Sequence, residues 1–157
     1  MRKPTTATPI PRPGEGKRGE AGHLGYLLRQ AGAAHRVRLE HALADLAVTP
    51  PQFAVLTMIA AYPGLSNADI ARLSLQTPQT ASVIVANLLR AGHVARRPHA
   101  VHGRIQQIEA TKSGQALLAR CRERVMAAER RITAGLASGE EDVIRRWLVG
   151  QDAGGAG

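Results

Sequence analysis

Aromatic side chains are scarce in this chain: one Trp, one Phe and two Tyr among 157 residues, 3% in all. A core must then be built from Leu, Ala, Val and Ile, as in a mostly helical protein. Cysteine occurs once, at Cys121, which excludes an intrachain disulfide and fits a reducing compartment. No apolar segment follows Met1-Arg2-Lys3, so no signal peptide is expected. No run approaches the ~20 apolar residues of a membrane span, so the expectation is a cytoplasmic protein without a membrane partner. Acids are missing from a whole stretch. Between Asp69 and Glu109 there are none, and from Asp45 to Glu109 Asp69 stands alone. No nucleophile, base and oxyanion donors assemble along the chain, and no carboxylate pair falls in a predicted cleft, so no enzyme and no cofactor are expected. His99 and His102 have H-x-x-H spacing, but on a loop with no third ligand nearby, and no metal is expected. Gly14, Gly16 and Gly19 match G-x-G-x-x-G by letter. No strand precedes them, and the dinucleotide reading fails on context.

What is present is positive charge. The formal net charge is +9, almost all of it from arginine, which suggests a polyanionic partner. Arg72, Arg90, Arg96, Arg97 and Arg104 all fall inside the acid-free stretch or at its border, so that half of the chain should present an electropositive surface.

Residues 1–20, rich in Pro, Gly and basic side chains, read as a disordered arm. Leu24 to Leu46 forms a long helix with Leu24, Leu28, Ala31, His35, Leu39, Ala42 and Leu46 on one stripe. Thr49-Pro50-Pro51-Gln52 opens a buried helix with a capping box, and Tyr62-Pro63-Gly64 ends it. Ser66 to Asp69 is a second capping box, before a short helix filled by Ile70, Leu73 and Leu75. Thr77 caps the next helix with Pro78 at its first position. There Ala81, Ile84, Val85 and Leu88 make the buried stripe. Gln79, Ser82, Val83, Ala86 and Arg90 occupy the opposite face, with Thr80 and Asn87 at its edges. Gly92 stops it, a strand from His93 to Arg96 and another from Ile105 to Glu109 flank a basic loop, and Thr111 caps a long helix with a seam of Leu118, Cys121, Val125, Ala128 and Ile132. Ser138, with Glu141 completing a capping box, starts a last helix whose apolar side is Ile144, Trp147 and Leu148, and residues 151–157 form a flexible tail. Two short helices joined by a tight turn make a helix-turn-helix, and the ribbon after them a wing. The fold class expected is mainly α: a winged helix-turn-helix with long N- and C-terminal helices and a two-stranded β wing. The outer helices have too little middle domain to pack on, so a second copy of the chain is their economical partner.

From Leu24 to Leu148 the order of elements resembles the MarR family of bacterial transcriptional regulators. The phrases that carry the likeness are Thr49-Pro50-Pro51-Gln52-Phe53-Ala54-Val55-Leu56, Tyr62-Pro63-Gly64-Leu65-Ser66, Asp69-Ile70-Ala71, Arg96-Arg97-Pro98 and Thr111-Lys112-Ser113-Gly114. The resemblance implies one domain over residues 21–150. Its dimerisation helices would be 22–46 and 111–149, around a DNA-binding part at 49–110. It also implies a homodimer on a pseudo-palindromic duplex site, acting as a repressor, and release by a small aromatic or phenolic effector. Thr77 to Arg90 would be the recognition helix and Arg104 the wing-tip arginine. The chain departs from the family pattern at Val83 and Asn87, where basic residues are usual, and at His99 and His102, where acids are usual.

Phosphate contacts are expected from Arg72, Arg90, Arg96, Arg97 and Arg104 and from the helix end at Thr77. Base-edge contacts are expected from Gln79, Thr80, Ser82, Val83 and Asn87. His35, Arg38, Met58 and Tyr62 are the effector candidates, by their expected place where the first helix meets the winged helix. The rival reading is a protein-interaction module whose winged helix no longer binds DNA.

Overall fold

A computed structural model describes residues 10–98 and 106–153. Its elements run α1 (Leu24–Leu43), α2 (Pro50–Ala61), α3 (Asn67–Leu73), α4 (Pro78–Arg90), β1 (Val94–Pro98), β2 (Gln106–Ala110), α5 (Lys112–Thr133) and α6 (Glu140–Ala153). Short 3-10 turns stand at Gly16–Arg18 and Ala44–Leu46. The chain divides into two compact units, residues 1–38 and 39–157. Among the described residues no single helix is long and apolar enough to cross a membrane.

In the first unit the described part of the expected arm is turned rather than formless. Arg18 donates to the Pro11 carbonyl at 2.8 Å, and the Arg12 amide donates to the Glu15 carboxylate at 2.9 Å. The apolar side chains of α1 are largely uncovered, Leu24 at 71% and Leu28 at 44% exposure.

The second unit is the winged helix. Thr49 and Gln52 form the expected reciprocal box, each backbone amide donating to the other's side chain. Ser66 caps α3, but its box is only half made: the Asp69 carboxylate accepts from the Ser66 hydroxyl at 2.6 Å rather than from its backbone amide. Val55, Leu56 and Ile59 of α2, Ile70 and Ala71 of α3, and Ala81, Ile84, Val85 and Leu88 of α4 meet in one core, closed by Val94, Ile108 and Leu118. Leu75 does not join it. It is 87% exposed, with φ at 55° in the left-handed region, because the turn between the two helices needs that backbone there. Leu73 is also exposed.

The wing pairs antiparallel from Val94 opposite Ala110 to Pro98 opposite Gln106. Leu65 adds an isolated bridge to Ile108. Leu43, Cys121 and Val125 form a second cluster with Leu39, Leu46 and Phe53. Cys121 is fully buried, and that burial pushes its thiol pKa up, as expected of an inert core cysteine. Ile132, expected in the same seam, is 45% exposed. The last helix starts at Glu140, whose carboxylate accepts from the Ala137 amide at 2.6 Å; Ser138 and Glu141 make no box. It continues to Ala153, into the segment read as a flexible tail, and from Glu140 to Gln151 it has no fully buried side chain, with Val143, Ile144, Trp147 and Leu148 all exposed.

Where α4 ends, Gly92 takes φ 75°, its amide donates to Leu89 O and the His93 amide to Leu88 O, the double bond of a Schellman stop. Thr111 then binds this stop to α5. Its amide donates to His93 O at 3.0 Å, its hydroxyl donates to Gly92 O at 2.7 Å, and its Oγ1 accepts from the Gly114 amide at 3.1 Å. Gly114 lies so close to the wing root that a Cβ there would be driven into the His93 carbonyl, which as backbone cannot give way. Gly114→Ala should therefore lower the unfolding free energy by about 1–3 kcal/mol. Gly32→Ala, in open space on a helix, should raise it by about 0.5–1 kcal/mol. Urea denaturation followed by circular dichroism, at one fixed chain concentration, reads both signs.

Candidate nucleic-acid interface

The outward face of α4 follows from the position of its buried stripe. With Ala81, Ile84, Val85 and Leu88 inside, a helix of 3.6 residues per turn must turn Gln79, Val83, Ala86 and Arg90 outward. All four are exposed, Val83 at 60%. Thr77 caps the helix by accepting from the Thr80 amide at 3.1 Å, and its hydroxyl donates to Thr80 Oγ1 at 2.9 Å. The first turn contains no acid, so the positive end of the helix dipole is uncompensated. Ser82 is tethered: its Oγ accepts from Asn67 Nδ2 at 3.2 Å, which fixes the start of α3 against the middle of α4. Asn87 differs from the others. It is half-buried and lines a cleft at the far end of the helix, off the exposed face.

The arginines divide into two kinds. Arg72 pairs with Asp69 at 2.9 Å, and Arg97 with Glu109 at 2.8 Å, a diagonal neighbour across the wing. The two acids that border the acid-free stretch are thus the partners of two of its arginines, an arrangement the expectation of an unopposed basic surface missed. Both pairs are solvent-facing and worth ~0–1 kcal/mol each, so exchanging a carboxylate for a phosphate costs little. Arg90 and Arg96 are exposed and make no ion pair or side-chain hydrogen bond among the described residues. Arg104, His99 and His102 lie outside the described residues.

Of the effector candidates, His35 and Arg38 stand on α1 in the first unit, and Met58 and Tyr62 at the end of α2 in the second. Tyr62 is 55% exposed. None of the four lines the cleft at the end of α4, which is bounded instead by residues including Gln52 and His93. Sequence reading gave those two no binding role, because their neighbours come from elements far apart in the chain.

The helix-turn-helix and wing have known counterparts. A family model described as MarR family matches residues 48–105. The HTH-type transcriptional repressor Rv2887 of Mycobacterium tuberculosis is 38% identical over 125 residues, covering 80% of this chain and 90% of that protein. The crystal structure of Rv2887 in complex with DNA matches with a TM-score of 0.68 and 36% identity, covering 82% of this chain and 97% of that one. Its complex with salicylic acid matches at 0.69 and 36%, covering 82% and 96%.

One electrostatic detail is testable without any ligand. The hydrogen bond from the Ser66 hydroxyl outweighs the opposing effect of desolvation and, with smaller help from the Ser66 backbone and the Arg72 charge, holds the Asp69 carboxyl below its ordinary pKa. A depressed folded-state pKa stabilises the fold above the unfolded value of 3.8 and ceases to do so as pH falls through the folded value. The wild type should exceed Asp69→Asn in stability at pH 7, and the difference should shrink progressively as pH is lowered below 3.8, as read by urea midpoints.

Proposed function

This chain belongs to the MarR family of DNA-binding transcriptional regulators, and on that premise we propose that it acts as a homodimeric repressor on a pseudo-palindromic operator and is released by a small aromatic ligand. The observation that carries the proposal is the outward face of α4. It is uncharged at its start, basic at its end, free of acids throughout, and held at a fixed angle by a core that takes up its whole opposite side.

Affinity comes from phosphates. Arg90 and Arg96 meet them directly, Arg72 and Arg97 by leaving their carboxylates, and Arg104 from the wing tip. Thr77 presents the helix N-terminus to the backbone. Specificity comes from base edges. Gln79 is suited to adenine N6 and N7, Thr80 and Ser82 to several edges, and Val83 to a thymine methyl. Asn87, half-buried at the cleft, contributes less than the other helix positions. The partly uncovered apolar residues of α6 and α1 support the dimer, since Trp147, Leu148 and Ile144 are 41–43% exposed and Leu24 71% exposed within the described protomer. Support for the ligand comes from Rv2887, a relative of the same build captured both with DNA and with salicylic acid.

A dimer sets two recognition helices about one helical turn apart, so fragments selected from random DNA should carry inverted half-sites at that spacing. If about 6–8 phosphates are neutralised, log K should fall against log salt with a slope of roughly −5 to −7, and Arg96→Ala should make it shallower by about one. Gln79→Ala should relax the sequence preference with the slope unchanged. Fluorescence polarisation on the selected duplex measures all three. Absent or salt-insensitive binding would favour the interaction-module reading.

A further inference from the structure

Ser82 stands on the outward face of α4 with its hydroxyl proton unspent. A helical serine often donates to a carbonyl one turn back on its own helix. Ser74 does so: it is buried, and its Oγ donates to Ile70 O at 2.6 Å. Ser82 is exposed, and its one side-chain hydrogen bond among the described residues is the one it accepts from Asn67 Nδ2 at 3.2 Å.

The donor comes from another element. Asn67 is the first residue of α3, directly after the Ser66 cap. Helices α3 and α4 share one core through Ile70, Ala71, Ala81 and Ile84, so packing holds Asn67 opposite Ser82. A hydroxyl has one proton and two lone pairs. The Asn67 N–H occupies one lone pair and directs the proton away from itself, toward the open side of the helix. An oxygen that already accepts is a stronger donor and a weaker second acceptor. In the major groove, guanine offers N7 and O6 as acceptors and thymine offers O4, whereas cytosine offers only its N4 donor.

We propose that Asn67 is a positioning residue that sets the polarity of Ser82, so that each half-site disfavours cytosine, relative to guanine or thymine, at the base facing Ser82. This rests on the regulator reading, and it narrows the edges open to Ser82. Asn67 itself acts through the serine and needs no base contact.

The test selects bound fragments from random DNA with the full-length chain, and measures relative affinities for the four bases at each position by fluorescence polarisation at one salt concentration. The wild type should disfavour cytosine by about 3- to 10-fold at one position per half-site, the worth of one neutral hydrogen bond. Ser82→Ala should remove that discrimination, and Asn67→Ala should weaken it at the same position. Asn67→Asp has the same shape and accepts where the amide donates. It draws the serine proton to itself, turns both lone pairs of Ser82 outward, and should reverse the preference toward cytosine or adenine. Its added charge lowers affinity for every sequence alike, and a merely structural role for Asn67 would do the same without changing which base is preferred. Without DNA, Ser82→Ala should shift the NMR signals of the Asn67 side-chain amide. A wild-type preference for cytosine there overturns the proposal, since it places the Asn67 carbonyl against the serine. So do Asn67 variants that leave base preference unchanged or change it at a position that Ser82→Ala does not, and amide signals unmoved by Ser82→Ala. Should the wild type select no common sequence, the regulator reading fails as well. A selected operator that the variants read as the wild type does removes the Asn67 role alone.

Discussion

Recognition helix, wing and α5 are joined at one knot of hydrogen bonds, and the geometry of the second unit depends on it. Gly92 and His93 close the end of α4, while Thr111 takes both of their carbonyls and at the same time caps α5. Three elements therefore share backbone partners within a few ångströms. Any displacement of α5 is felt at the root of β1 and the last turn of α4 without passing through a chain of side chains. The core beneath, from Leu56 to Leu118, sets the position of α4; the knot sets its end.

Those features of the fold that depend on local chemistry were legible in the sequence. Thr49, Thr77 and Thr111 cap the helices they were expected to cap, because a hydroxyl and an amide three residues on are enough to define that geometry. The buried stripe of α4 followed from spacing alone. Features that depend on tertiary register were not legible. The pairing of Arg97 with Glu109 needs the alignment of β1 on β2, which charge spacing cannot supply. Gly114 looked like an ordinary glycine in a first turn; its role comes from a carbonyl more than twenty residues earlier. Leu75 was placed inside by its apolar character, yet the backbone angle of the turn decides its direction. The expected start of α6 failed for a related reason, since the side chain that reaches back belongs to Glu140 and meets the Ala137 amide. In the candidate site, the outward residues of α4 were legible as a face and Asn87 as its edge, but that the edge borders a cleft built by four segments was not legible.

Charge on the second unit is organised rather than merely abundant. Each acid bordering the basic stretch holds one arginine in place, while Arg90 and Arg96 have no such partner among the described residues. Paired guanidinium groups lose less side-chain freedom when they meet a phosphate, because the carboxylate has already restricted them. Unpaired ones contribute the long-range field that attracts a polyanion. A basic surface of this construction separates approach from docking, with different arginines serving each.

Leu75 gives the turn before α4 an unusual character. A leucine in left-handed backbone carries a conformational penalty of about 1–2 kcal/mol that a glycine would not, and here no burial offsets it within the described protomer. Its side chain projects as a small greasy knuckle just ahead of the capped end of the helix. A surface that settles against that end can cover this hydrocarbon as it meets the helix amides, and covering it would recover part of the backbone penalty.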